Sequence, residues 1–242
     1  MSKQIKFGTP EKQYILAEIL KSRGIDPNTH PDYSPNAIAK QVLDERLENQ
    51  PASEKPFKRG ILTGAFDPWH FDHGTAVMRA AELCDQLIIA VSTDDVIRNY
   101  KHHEPFFPLD FRMRSVAQIK GVSLVIAQEN LYDKLEMIQS LGADVLFSCE
   151  EYQREFYQNP PREMSPKEEA GVERWEKFEA EANENGIDVV YLPRGTDMSS
   201  SKLKERALEL ALGDVNIIPV APTESFYTPA GESFIQAQPA EQ

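Results

Sequence analysis

The feature that most restricts what this chain can fold into is a rhythm that begins at Arg59. Short apolar, β-branched runs ("GILTGAF", "QLIIAVS", "SLVIA", "DVLFS" and "DVVYL") alternate with longer segments of helical period. Strands that read as continuous apolar runs are buried on both faces, and strands separated by helices pair in parallel through crossovers. The rhythm therefore predicts an α/β domain over 58–212, with helices near 74–83, 110–120, 132–141, 165–185 and 200–212. The helix at 165–185 carries its own start signal: Ser165 as N-cap, Pro166 at the first helical position and Glu168 positioned for a capping box. Its acidic open face reads as solvated surface.

Residues 1–57 read as a separate helical extension and linker. In "TPEKQYILAEILKSRG" the pairs Ile15/Ile19 and Leu16/Leu20 share one helix face, with Gly24 as a stop. A second helix follows in "SPNAIAKQVLDERLENQP", with Ser34 as cap, Pro35 at its start and Ile38, Val42, Leu43 and Leu47 as its apolar stripe. The tail 213–242 is proline-rich and aperiodic, and is expected to be extended or partly disordered. A chain of 242 residues has room for one substantial core, and two full-sized domains would be crowded.

Charge and cysteine content narrow the function classes. With 39 Asp and Glu against 26 Lys and Arg, the formal charge of -13 argues against a nucleic-acid surface, so any anionic substrate must meet a locally basic pocket. Cys84 and Cys149 are distant and lack paired-ligand spacing, which suggests neither a disulfide framework nor a zinc site. No signal peptide or membrane-spanning run is apparent, and the expected setting is the cytoplasm.

Two strand-to-helix junctions carry the chemistry. After the first strand comes Gly64-Ala65-Phe66-Asp67-Pro68-Trp69-His70-Phe71-Asp72-His73-Gly74, which sets two imidazoles at the mouth of the first helix. Ligands of open α/β sheets collect beyond the carboxyl ends of the strands, and the free N–H groups of a helix N-terminus attract phosphate. Two histidines there can address one anion, although a loop residue and a helix residue of no special role would also read this way. After the last strand, "RGTDMSSSKL" brings Arg194 and three hydroxyls, Ser199, Ser200 and Ser201, to a second such junction. One serine is enough to cap a helix; three beside an arginine suggest a ligand.

These two motifs, with "AAELCDQLIIAVSTDD" between them, resemble the cytidylyltransferase family of HxGH nucleotidyltransferases, most closely the glycerol-3-phosphate type, over about 58–212. The resemblance implies a doubly wound, Rossmann-like parallel sheet and the transfer of CMP from CTP to a small phosphorylated alcohol such as glycerol 3-phosphate, choline phosphate or ethanolamine phosphate. His70 and His73 would then donate to the triphosphate, where losing one preorganised donor commonly costs ~10²–10³ in rate. Lys101 in "NYKHHEPFFP" and Arg112 match family cations that reach the phosphates; Arg194 and Ser199 to Ser201 would hold them from the far side. Gly64, Ala65, Phe66 and Asp67 would line the nucleotide, and Mg²⁺ would accompany it. A homodimer is a further expectation. The adjacent His102 and His103 lack a third ligand and suggest no metal site.

The chain also departs from the pattern. Asp72 stands where the family has glycine, and a carboxylate ~4 Å from another unit charge is worth about 4 kcal/mol at an effective dielectric near 20. It is expected to turn outward and cap the helix; holding a metal ion, or crippling the site, are the other outcomes. Cys149-Glu150-Glu151 replaces a glycine–aspartate pair, an insertion follows over about 150–185, and Gly195 replaces a threonine. Glu150, Tyr152 and Trp175 are candidates for an altered acceptor pocket, unless the insertion's aromatics simply pack it onto the sheet. An ATP-using adenylyltransferase, a catalytically silent nucleotide-binding protein and a fragment-like relative of class I aminoacyl-tRNA synthetases are the rival readings.

Overall fold

A computed structural model describes residues 35–158, 161–194, 196 and 199–212. Five strands run in one direction: β1 (Phe57–Gly64), β2 (Cys84–Ser92), β3 (Val122–Gln128), β4 (Val145–Cys149) and β5 (Asp188–Leu192), in the order β3-β2-β1-β4-β5. The helices are α1 (Pro35–Glu48), α2 (Phe71–Leu83), α3 (Asp94–Lys101), α4 (Leu109–Ala117), α5 (Lys134–Leu141), α6 (Pro166–Glu184) and α7 (Ser200–Ala211). The chain divides into two compact units after Leu203; in the second, Arg206 pairs with Glu209.

The apolar runs are unbroken because neighbouring residues serve opposite faces. Leu62, Leu87, Ile89, Val145 and Phe147 meet Val77 and Ala80 of α2 and Met113 and Val116 of α4. Ile61, Ile88, Ala90, Ile126 and Leu146 meet Leu43 of α1, Ile138 and Leu141 of α5 and Ala182 of α6. Both faces are covered, which makes the sheet doubly wound. Gly60 marks the tightest approach, since a Cβ there would collide with the Phe147 ring.

At the amino ends of the strands, the Asp144 carboxylate accepts from the N–H groups of Lys58 and Arg59 at 2.9 Å each. The buried Arg59 donates to Gln86 Oε1, the Leu141 carbonyl and Asp44 Oδ1, and Gln86 donates to the Leu43 carbonyl. Through this polar cluster α1 joins the core, although the sequence places it in a separate extension. The helix expected around 9–24 and the tail 213–242 lie outside the described residues.

The capping box of α6 forms as expected, and Asp188–Leu192 is the strand read from "DVVYL". α3 goes unread in the periodicity because it is short and polar; its signal is Thr93, whose side chain accepts from the Val96 N–H, followed by Asp94 and Asp95 in the first turn. Among the described residues no helix is long and apolar enough to cross a membrane.

Candidate active site

β1 is flanked by β2 on one side and β4 on the other, so the strand order, though not the strand direction, reverses between β1 and β4. The chain leaving β1 turns sharply there: Phe66 adopts the left-handed region at φ 52°, and its ring folds back to within 3.0 Å of where a Gly64 Cβ would lie. That turn delivers His70 to the N-cap of α2 and His73 to its first turn. The His70 side chain makes no capping hydrogen bond, so the helix mouth stays open to an anion.

The two imidazoles stack with centroids 3.8 Å apart and planes 28° from parallel. His73 also meets the edges or faces of Phe66 at 5.1 Å and Trp69 at 5.5 Å. Burial in this aromatic setting, reinforced by His70, Lys101 and Arg194, pushes the His73 pKa down to about 3. Burial also lowers that of His70, against the pull of the Asp72 carboxylate. Both rings are therefore neutral at physiological pH, each with one N–H to offer. Neither Nδ1 has a hydrogen-bond partner among the described residues.

The second junction closes on the first. Ser199 caps α7, its hydroxyl accepting from the Lys202 N–H at 3.2 Å. Ser200 donates to the Pro68 carbonyl at 3.0 Å, so a second hydroxyl clamps α7 to the histidine turn while Ser201 stays exposed. Arg79 of α2 donates to the Pro193 carbonyl, adding a further tie. The histidines and the serine cluster, distant in sequence, thus share one place in the fold. Arg194 lies between β4 and this junction: its N–H donates to Glu150 Oε1 at 2.7 Å and its guanidinium to Glu151 Oε2 at 2.9 Å. Lys101, at the end of α3, is close enough for its charge to act on His73.

Several expectations need correction. Asp72 does not cap α2; it sits inside the first turn, where its Oδ2 accepts from the Thr196 hydroxyl at 2.9 Å. Arg112, expected to reach the phosphates, is instead turned into the protein. It is 1% exposed and donates to the carbonyls of Phe107, Ala65 and Ser92 and to Asp94 Oδ1. Asp67 is likewise committed inward, its two oxygens accepting from the N–H groups of Phe106 and Phe107 at 2.7 and 2.8 Å. Tyr152 and Trp175 do not form an open acceptor face, because they stack on each other at 4.8 Å while the Lys134 ammonium lies 4.2 Å from the Trp175 ring centre. The insertion packs by its own contacts: Arg154 pairs with Glu169 and Glu176, and Arg162 with Glu168 over the Tyr157 ring.

Thr196 and the Pro68 carbonyl belong to the site yet carry no signal of their own in the sequence, and Glu151 stands out there only as a departure from the family pattern; their roles come from partners distant along the chain. Among the described residues no group of His, Cys, Asp and Glu is arranged to hold a metal ion unaided.

A family model described as Cytidylyltransferase-like matches residues 61–206. The glycerol-3-phosphate cytidylyltransferase of Staphylococcus aureus is 25% identical over 148 residues, which cover 61% of this chain and 93% of that protein. The FAD synthase of Korarchaeum cryptofilum is 26% identical over 156 residues, covering 63% and 93%. The crystal structure of a lipopolysaccharide core biosynthesis protein from Thermoplasma volcanium overlays on 59% of this chain and 99% of its own at 18% identity and a TM-score of 0.42.

Proposed function

This chain belongs to the cytidylyltransferase-like family of nucleotidyl-transferring enzymes, and on that premise we propose that it transfers CMP from CTP to a small phosphorylated alcohol. A phosphate oxygen of the acceptor attacks the α-phosphorus; as that P–O bond forms, the bond to the β-phosphate oxygen breaks and pyrophosphate leaves with the electron pair. No protein nucleophile is needed, so the work of the site is alignment and charge stabilisation.

The observation that carries this reading is the meeting of the His70/His73 turn with the capped start of α7 through the Ser200–Pro68 bond. Two helix N-termini and two neutral imidazoles then surround one polyanion. His70 and His73 donate to phosphoryl oxygens from preorganised positions. Arg194 and Lys101 supply positive charge, and the N–H groups of α2 and α7 add their dipoles. Mg²⁺, expected to arrive with the triphosphate, neutralises part of its charge when bound.

A second reading, adenylyl transfer from ATP, is favoured by the similarity to an FAD synthase. A pyrophosphate-release screen that crosses the four nucleoside triphosphates with glycerol 3-phosphate, choline phosphate, ethanolamine phosphate and other phosphorylated alcohols separates the two. Release with CTP and one of these acceptors is the expected result. Release with ATP and none with CTP moves the assignment to adenylyl transfer, and release with no nucleotide rejects catalysis.

A further inference from the structure

Three polar atoms within one short turn, His70 Nδ1, Asp72 Oδ1 and His73 Nδ1, are buried and have no hydrogen-bond partner among the described residues. Buried polar atoms are nearly always satisfied, so three adjacent exceptions mark a place that a ligand completes. Asp72 is the most demanding of them. A carboxylate oxygen withdrawn from water without a donor carries a desolvation cost that only an incoming donor or cation can offset. Its other oxygen is already taken by Thr196. That bond fixes the carboxylate in the crevice between β1 and β4, close enough for its charge to act on His70 and on the Cys149 thiol at the end of β4.

The surroundings decide which kind of ligand it is. The ligand of this crevice, on the reading above, is a polyanion, which cannot approach a bare carboxylate without repulsion. Arg194 relieves that only in part, because its guanidinium is already paired with Glu151, and that of Arg112 is committed to Asp94. A hard divalent cation does: Mg²⁺ is usually held by one or two carboxylates together with substrate phosphates, and keeps several waters. A single carboxylate that binds the cation only when the triphosphate is present is also consistent with there being no preformed metal cluster among the described residues.

We propose that Asp72, positioned by Thr196, is the protein ligand for the divalent cation that accompanies the nucleotide, and that it makes nucleotide binding depend on that cation. The carboxylate excludes a metal-free triphosphate and accepts a metal-bound one. Its place between the two histidines sets the cation beside the phosphates that the imidazoles address.

The inference rests on nucleotide binding at this site, and its test keeps the two apart. Calorimetric titration of CTP into the wild-type chain, with saturating Mg²⁺ and then with EDTA, is expected to give binding at least about tenfold tighter with the metal. In Asp72→Asn and Asp72→Gly the EDTA affinity rises and the ratio falls to about threefold or less, as expected when a repulsive charge is removed. Mn²⁺ electron paramagnetic resonance adds a second readout. CTP should draw Mn²⁺ onto the wild-type protein, and more weakly onto Asp72→Asn. Equal affinity with Mg²⁺ and EDTA in the wild type, or an unchanged ratio in both variants, overturns the role of Asp72. A wild-type chain that takes up no nucleotide under any condition overturns the functional reading itself.

Discussion

His73 shows how one residue's surroundings set its chemistry. Buried against Phe66 and Trp69 and stacked on His70, it has a folded pKa of about 3, below the ordinary 6.5. Between those values the unfolded chain holds a proton that the folded one does not. Its contribution to stability is therefore complete above 6.5 and is lost as the pH falls toward 3. We expect the melting temperature to fall between pH 7 and pH 5, and His73→Gln to flatten that slope, as measured by calorimetry in matched buffers. Arg112 makes the opposite point about family cations. With its donors spent on three carbonyls and Asp94, it clamps the ends of β1 and β2. Arg112→Lys keeps the charge but not the fork, and should cost about 3–5 kcal/mol of stability while leaving the CTP affinity of the folded protein nearly unchanged. A large loss of affinity at full stability would restore it as a phosphate ligand. At this scale the sequence identifies the histidines, Arg194 and the serines as chemically unusual. It cannot reveal that Asp72 meets Thr196 or that Arg194 meets Glu151, because those partners are adjacent only after folding.

At the scale of elements, the strands are legible because burial on both faces leaves no polar alternation to confuse them, and the run "DVVYL" coincides with β5 residue for residue. α6 was legible from its capping box. α3 was not, because its eight residues are mostly polar and only its cap distinguishes it from a loop. The insertion's aromatics were ambiguous for a similar reason: a Tyr–Trp stack and an open ligand face look alike in sequence, and only the Lys134 ammonium over Trp175 reveals that the face is taken. Close packing between β1 and β4 depends on Gly60, which allows Phe147 to lie against the strand and edge-on to Phe57 at 6.2 Å. Gly60→Ala should lower stability by roughly 1–3 kcal/mol through overpacking, read by denaturant titration. A neutral substitution would mean that Phe147 has room to move.

For the whole molecule, the strand order carries the argument. Placing β4 beside β1 and β5 beside β4 brings the start of α7 to the start of α2, although more than a hundred residues separate them in the chain. Sequence alone locates each motif at a strand-to-helix junction; it takes the 3-2-1-4-5 order to make the two junctions one site. On the proposed reading, a chain of formal charge -13 concentrates its anion binding there, in helix dipoles and neutral donors rather than in a basic surface. The most direct test of this convergence is a titration with CTP and Mg²⁺ followed by NMR at the His70 and His73 ring protons and the Ser199 to Ser201 amides. If one ligand bridges the two junctions, both sets shift together with one shared dissociation constant; shifts confined to one junction, or two unrelated constants, mean that the junctions do not form one site.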